Sequence, residues 1–328
     1  MKNLNILITG GAGYIGSHIV ELLVNSKNNI IIIDNLVTGF KKLINKKAKF
    51  IKVDLKNEKN LRKIIFENKI DIIIHLAAYH NVSEAESNKK KYYKNNVIGT
   101  LNLVKACKNS NVKNIIFSSS CSVYGNVNGS VKETAKTNPL GYYAYTKLKS
   151  EQIIKKYSKR FNYNYFILRY FNVAGASKSG KIGQIEKSHG QLIKNLAVAA
   201  LYSKSKVSIY GKNYQTIDGT CIRDFIHVSD LADIHLKFLN NRKIKNKSLI
   251  VNCGYGKGYS VKEVVDIFKS IKKNVVVSYK KRRKGDIEQI FANTQKLKKI
   301  LNWKPKFDNI KEIILSSIKW EKKIKKIK

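Results

Sequence analysis

LNILITGGAGYIG, residues 4–16, joins a short apolar run to glycines at 10, 13 and 16 and then to a helical pattern. A strand that ends in a tight glycine turn and feeds a helix directs that helix's unpaired N–H groups at an anion. The spacing departs from G-x-G-x-x-G, but Gly10, Gly13 and Gly16, with Tyr14 and Ile15 opening the helix, perform the same task. They allow a turn and a close backbone approach to a pyrophosphate. Three glycines alone are weak evidence; their place between the first strand and the first helix strengthens it.

The pattern continues outward from that loop. IIIIDN (30–35), FIKVD (50–54), DIIIHLAA (71–78), NIIFSSS (114–120) and YFILRYFN (165–172) read as strands. Amphipathic patterns near 15–26, 57–68, 92–109 and 143–160 read as helices. Continuous apolar strands separated by helices require a parallel sheet covered on both faces, a doubly wound, Rossmann-like α/β domain. After Asn172 the pattern loosens, with helices expected near 189–202, 229–240 and 260–270 and a strand at LIVNCG (249–254). The expected organisation is a dinucleotide-binding domain over 1–172, rejoined by parts of 223–255, and a smaller mixed α/β substrate domain over 173–328.

Asp34, followed by Asn35, closes the second strand, where a carboxylate accepts from both adenosine ribose hydroxyls. It would repel a 2′-phosphate and no arginine follows in DNLVTG, so NAD is expected over NADP. Asp54 with Leu55 ends the third strand, where a carboxylate and neighbouring backbone can hold the adenine amino group; a polar strand end is the plainer alternative. Ala77 and Ala78 end the fourth strand beside the cofactor's central part. Asn96 either bonds the loop that carries the catalytic residues or caps its own helix.

The fifth strand ends in SSSCSVYG (118–125), and strand ends on this side of such a sheet lie beside the bound ligand. The next helix opens in PLGYYAYTK (139–147). Of its tyrosines only Tyr143 stands four residues from Lys147, so one helical face presents both side chains; Tyr142 and Tyr145 point elsewhere. A phenol is a poor base near neutrality, and a neighbouring ammonium and a positive nicotinamide ring are expected to lower its pKa. Lys147 can also hold the nicotinamide ribose. Ser120 is expected to orient the hydroxyl that Tyr143 deprotonates, with Ser118 beside the cofactor and Ser122 in a supporting contact.

At 328 residues the chain can bury a sizeable core in two domains. Its 64 Lys and Arg against 22 Asp and Glu give a net charge of +42, which suggests a polyanion partner. Only seven of the 64 are arginine, the residue used for bidentate phosphate and base contacts, and the lysines are scattered. Solvated lysine faces, as a composition-wide drift produces, are therefore expected rather than nucleic-acid binding. The four widely spaced cysteines form no CxxC pair, which argues against a zinc site or disulfide framework and for a reducing compartment. The N-terminus runs straight into a strand without a signal-peptide pattern, and no apolar run approaches the ~20 residues of a membrane span. A soluble cytoplasmic protein without a metal is expected.

Together these motifs resemble the extended short-chain dehydrogenase/reductase family, in its nucleotide-sugar 4-epimerases. The resemblance spans essentially the whole chain: TGGAGYIGSH (9–18), DNL (34–36), NNVIGTLNL (95–103), SSSCSVYG, Tyr143 and Lys147, LRYFNVAGA (168–176), DGTCIRDFIHVSDLADIH (218–235), NCGYGKGYSV (252–261) and RRKGD (282–286). It implies that tightly held NAD⁺ transiently takes a hydride from C4 of a UDP-hexose while Tyr143 takes the 4-hydroxyl proton. The 4-keto sugar then turns over and both return, interconverting galactose and glucose forms. By the same resemblance Phe171 and Asn172 touch sugar and diphosphate, Arg223 and Arg283 clamp the phosphates, Asp286 accepts from the uridine ribose, and the subunits form a homodimer through helices of the cofactor domain. His80 stands where the family carries a lysine near the cofactor, so a fixed charge becomes a titrating one. Gln191 and Leu192 depart from the family's Asn-Leu or His-Leu, and Gln191 can still donate to a phosphate. Ile290 aligns with a gate on the sugar's C2 side, implying efficient UDP-glucose/UDP-galactose interconversion with UDP-N-acetylglucosamine as an alternative substrate. A dehydratase or decarboxylase would need a carboxylate before VYG, and there is none. UDP-glucuronate 4-epimerisation and a non-catalytic NAD-binding regulator remain as alternatives.

Overall fold

The computed structural model of the chain describes residues 3–185, 190–241, 244, 247–283 and 286–327, so Lys284 and Gly285 of RRKGD lie outside the described residues. Its strands are β1 Asn5–Thr9, β2 Asn29–Asp34, β3 Lys49–Lys52, β4 Ile72–His75, β5 Asn114–Ser120, β6 Asn128–Val131, β7 Asn164–Tyr170 and β8 Asn172–Ala174. They continue with β9 Ser205–Tyr210, β10 Ile222–Arg223, β11 Phe225–His227, β12 Leu249–Cys253, β13 Tyr259–Ser260, β14 Val275–Lys280 and β15 Gln289–Ala292. The α-helices are α1 Tyr14–Leu23, α2 Glu58–Glu67, α3 Val82–Ser87, α4 Lys89–Tyr92, α5 Gly99–Ala106, α6 Tyr142–Phe161, α7 Leu192–Ala199, α8 Val228–Asn240, α9 Val261–Ile271, α10 Gln295–Leu301 and α11 Ile310–Ile327.

Seven strands make one sheet in the order β12-β7-β5-β4-β1-β2-β3. β1 runs parallel to β2 and β4, β2 to β3, and β4 to β5. The order reverses between β1 and β4, which opens the crevice where doubly wound sheets take ligands. Isoleucine dominates these strands because both faces are covered. On one face Leu7, Ile31, Ile33, Ile73 and Ile115 pack with Leu61, Ile64 and Ile65 of α2, Leu103 and Val104 of α5 and Ile154 of α6. Ile6, Ile8 and Ile32, which alternate with them, are equally buried, as are Ile19, Val20 and Leu23 of α1.

The chain divides into two compact units, residues 1–123, 139–169 and 232–251 in the first and 124–138, 170–231 and 252–328 in the second. Residues 124–138, inside the first domain as expected from sequence, join the second unit because β6 pairs with β15. That unit holds a four-stranded sheet in the order β13-β10-β15-β6 and two parallel pairs, β11 with β8 and β14 with β9. Its α7 packs on α11, and α9 opens with a capping box of Ser260 and Glu263.

Two expected elements differ. The single helix over 92–109 is three pieces, α4, a π-helical segment Tyr93–Ile98, and α5. The strand over 165–172 stops at Tyr170, and Asn172 begins β8, which leaves the sheet to pair with β11. Among the described residues no helix is long and apolar enough to cross a membrane, and no group of three His, Cys, Asp or Glu is arranged to hold a metal.

Candidate active site

The glycine loop is closed by its own backbone: Gly10 N donates to Ile33 O at 2.9 Å and Gly13 N to Gly10 O at 3.1 Å. Gly10 has φ +72°, and a Cβ there would lie 2.8 Å from Ala77 N. A Cβ on Gly16 would lie 2.3 Å from Gly10 O, so only glycine permits the turn to fold back on itself. Gly13 caps α1 without a side-chain bond to the first turn, and a helix start of this kind suits an anion.

Asp34 sits at the end of β2 with Oδ2 accepting from Ala12 N (3.1 Å) and Oδ1 from Leu36 N (2.8 Å). Burial raises its pKa and these two donors oppose the rise. Gly39 approaches so closely that a Cβ would stand 2.7 Å from Oδ1. Asp54 accepts from Asn35 Nδ2 at 2.9 Å and from Lys56 N at 2.8 Å. Partial burial pushes its pKa up, but these bonds and the Lys56 charge prevail and hold it below the ordinary value. Leu55 is buried under Gly99, Ala77 N donates to Thr9 Oγ1 (3.2 Å), and Ala78 and His80 follow in half-buried positions. A turn that excludes Cβ atoms, an uncapped helix start and an acid at the end of β2 fit a dinucleotide carrying free ribose hydroxyls.

The Asn96 side chain bonds the loop after β4 and helix α6. Its Oδ1 accepts from Tyr79 N (2.8 Å), and its Nδ2 donates to Tyr79 O (3.0 Å) and to Thr146 Oγ1 (3.0 Å). The π-helical segment turns this buried side chain between the loop after β4 and the start of α6.

The catalytic candidates converge at the end of β5. Ser122 Oγ donates to Ser120 Oγ at 2.9 Å, and the Ser120 side chain is near enough to the Tyr143 hydroxyl to favour its ionised form. Lys147 Nζ donates to Ser118 O at 2.6 Å, stands 6.0 Å from the Tyr143 ring centroid and 5.0 Å from that of Phe117. Tyr142 and Tyr145 pair with one another instead, their centroids 5.4 Å apart, under Lys89 and Lys149.

The chain's own groups do not lower the Tyr143 pKa. Burial pushes the Tyr143 hydroxyl above the ordinary phenol value, Cys121 adds to this and the Ser120 side chain acts against it. Burial also pulls Lys147 down to about 7, against the pull of Glu151. The helix brings the pair together, and burial disfavours the charged form of each. A lysine only partly charged near neutrality, bonded to a carbonyl, does not by itself produce a phenolate.

The second unit gathers the residues expected to hold a nucleotide. Phe171 N donates to Cys253 O (3.1 Å) and Asn172 N to Asp224 O (2.9 Å). Arg223 Nη1 donates to Ile222 O at 2.9 Å while Nη2 lies 3.9 Å from Asp286 Oδ1. Arg283 stacks on Tyr210, 3.8 Å from the ring centroid, and reaches Gly190 O at 3.4 Å, beside Gln191, which precedes α7, and Leu192, which opens it. Ile290 is 2 % exposed in β15, in register with Arg223 of β10.

Residues 6–254 match the family model described as the NAD dependent epimerase/dehydratase family. The chain belongs to this family. It is 38% identical over 321 residues to a UDP-glucose 4-epimerase of Lactobacillus helveticus, covering 97% of each chain. A UDP-glucose-4-epimerase structure from Stenotrophomonas maltophila, with bound NAD and formylated UDP-arabinopyranose, superposes with a TM-score of 0.94 at 30% identity, covering 99% of this chain and all of the other. The UDP-Glc/GlcNAc 4-epimerase of Campylobacter jejuni superposes with a TM-score of 0.85 at 38% identity, covering 98% of this chain and all of the other. NAD is the cofactor of this epimerase scaffold.

Sequence reading missed the polar network under the family's cofactor loop. Thr9 Oγ1 and His75 Nδ1 are 2.8 Å apart, His75 Nε2 and Thr100 Oγ1 2.9 Å, and Thr100 Oγ1 donates to Asn96 O at 2.6 Å. Ser150 Oγ donates to Asn96 O at 3.0 Å, and Thr146 Oγ1 to Tyr143 O at 2.7 Å. Burial, reinforced by the Lys147 charge, pulls His75 down to about 3 and keeps it neutral. The available signal was a polar residue, Thr9 in one case and His75 in the other, closing an otherwise apolar run.

Proposed function

We propose that the chain interconverts UDP-galactose and UDP-glucose by inverting C4 of the sugar. The observation that carries this reading is the Ser120–Tyr143–Lys147 cluster at the end of β5, in a family member that aligns with UDP-glucose 4-epimerases over nearly its full length. NAD, when bound, supplies a reversible hydride acceptor, so the sugar is oxidised and reduced with no net change. Gly10, Gly13 and Gly16 would hold its pyrophosphate, Asp34 a ribose and Lys147 the nicotinamide ribose.

The chain's own residues handle the proton. Tyr143 Oη takes it from the 4-hydroxyl and returns it when the sugar presents its other face. Ser120, steadied by Ser122, fixes the direction of that hydroxyl. Arg223 and Arg283 supply planar donors for a diphosphate, with Gln191 beside them. Phe171 and Asn172 would border the sugar and diphosphate, and Asp286 the uridine ribose. The absence of a carboxylate in SSSCSVYG supports epimerisation over dehydration or decarboxylation. A homodimer in the cytoplasm, without a nucleic-acid partner, completes the reading.

Incubation of the purified protein with UDP-galactose and no added NAD, followed by separation of the UDP-sugars, is expected to yield UDP-glucose. Tyr143→Phe is expected to lower kcat by about 10²–10⁴-fold. A chain that leaves UDP-galactose untouched even with NAD supplied would refute the assignment.

A second substrate is favoured by Ile290, which is smaller than the tyrosine expected of a glucose/galactose-restricted gate, and by the likeness to the Campylobacter jejuni UDP-Glc/GlcNAc enzyme. Ile290→Tyr is expected to reduce turnover of UDP-N-acetylglucosamine about tenfold relative to UDP-glucose, the scale of a modest change in pocket volume. Equal ratios of the two rates before and after substitution would remove Ile290 from substrate choice.

A further inference from the structure

Ser119 lies between the two serines expected at the reacting groups, and strand alternation turns its side chain to the other face of β5. Its hydroxyl donates to Glu151 Oε1 at 2.5 Å. Glu151 is fully buried one helical turn beyond Lys147, on the same face of α6. Arg169 of β7, the strand next to β5, grips the carboxylate at both oxygens, Nε to Oε1 at 3.0 Å and Nη2 to Oε2 at 2.8 Å. Lys147 in turn holds the carbonyl of Ser118. Successive residues of the strand end, 118 and 119, are therefore tied to successive turns of the catalytic helix.

We propose that Ser119, Glu151 and Arg169 form a positioning element for the reaction, locking the end of β5 in register with α6 so that Ser120 meets Tyr143, and placing a buried negative charge one turn from Lys147. A fully buried ion pair is a weak source of stability, since hydrophobic residues of similar volume often replace such pairs without loss. Its place beside the reacting groups gives it a different use. Lys147 is faced by Glu151 and Tyr143 on α6 and by His75 on β4, and of the Glu151–Arg169 pair it is Glu151 whose charge bears on it. Glu151 is faced by Lys147 and Lys155 on its own helix and by Tyr165 and Arg169 of β7. Removing the carboxylate disfavours the Lys147 ammonium, so activity that needs the ammonium ends at a lower pH.

The catalytic half of this inference rests on the epimerase reading, and the experiment separates the two. The paired variant Glu151→Met/Arg169→Met, Ser119→Ala and Ser119→Thr are compared with the wild-type holoenzyme. Three quantities are read: thermal unfolding, the pH profile of kcat with UDP-galactose, and the ionisation of Tyr143, taken as tyrosinate absorbance relative to Tyr143→Phe. In the paired variant kcat is expected to fall about tenfold with KM within about twofold, the alkaline limb of the profile to move to lower pH, and Tyr143 to ionise at higher pH, without loss of thermal stability. Ser119→Ala is expected to lose kcat severalfold and Ser119→Thr to restore it. Unchanged kcat profiles and Tyr143 ionisation in folded variants would overturn the proposal. If the paired variant does not fold, Ser119→Ala decides: lost turnover at wild-type stability supports the proposal, and wild-type turnover overturns it. A wild-type protein inert towards UDP-galactose whose Tyr143 ionisation still moves with Glu151 would sink the substrate assignment and leave the positioning role standing.

Discussion

At Tyr143 and Lys147, identity and charge state have different origins. A separation of four residues selected this tyrosine over its neighbours, and that arithmetic is local to one helix. The direction of its pKa was not legible, because desolvation depends on what the rest of the unit packs around it. His75 shows the same division. It stood in plain view in HLAA, yet its bonds to Thr9 and Thr100 join segments far apart in sequence. With a folded pKa of about 3 against an ordinary 6.5, the unfolded chain binds the extra proton between these values. Stability is therefore expected to be fully present above about pH 6.5 and to fall as pH drops towards about 3, by on the order of a few kcal/mol from this residue. Urea unfolding of wild type and His75→Asn across that range tests it; parallel curves would show that the imidazole contributes no slope.

Elements with a strong period and a punctuated end were readable, and elements defined by a remote partner were not. β1, β2 and α1 are fixed by an apolar run, a glycine turn and an amphipathic repeat. β10 and β13 contain two residues each and exist only through pairing with one another and with β15. The π-helical turn at Tyr93–Ile98 inserts its extra residue without breaking the apolar pattern, so 92–109 read as one helix. The glycine turn gives the sharpest test at this scale. A methyl group at position 16 would meet Gly10 O at 2.3 Å, a backbone atom that cannot step aside. Gly16→Ala is expected to purify without NAD and to melt lower by several degrees, about 1–3 kcal/mol of strain. Full retention of the cofactor by this variant would show that the loop has more room than its backbone bonds allow.

Over the whole molecule the +42 charge acts as a field. Scattered lysines repel one another and are screened by ions beyond a Debye length. Raising ionic strength from ~10 mM to ~0.3 M is expected to raise the melting temperature, with any retention on duplex DNA lost over the same range. A melting temperature that falls with salt would show that attractive surface pairs outweigh the repulsion. The chain passes between its two units five times, at residues 123/124, 138/139, 169/170, 231/232 and 251/252. No single cut in the gene therefore releases either half as a continuous piece: a fragment ending at 169 forfeits 232–251, most of the β12 edge strand included, while retaining 124–138 without its host. Such threading makes the two units heritable only together, so a new substrate half has to be acquired by changing loops in place rather than by swapping a block.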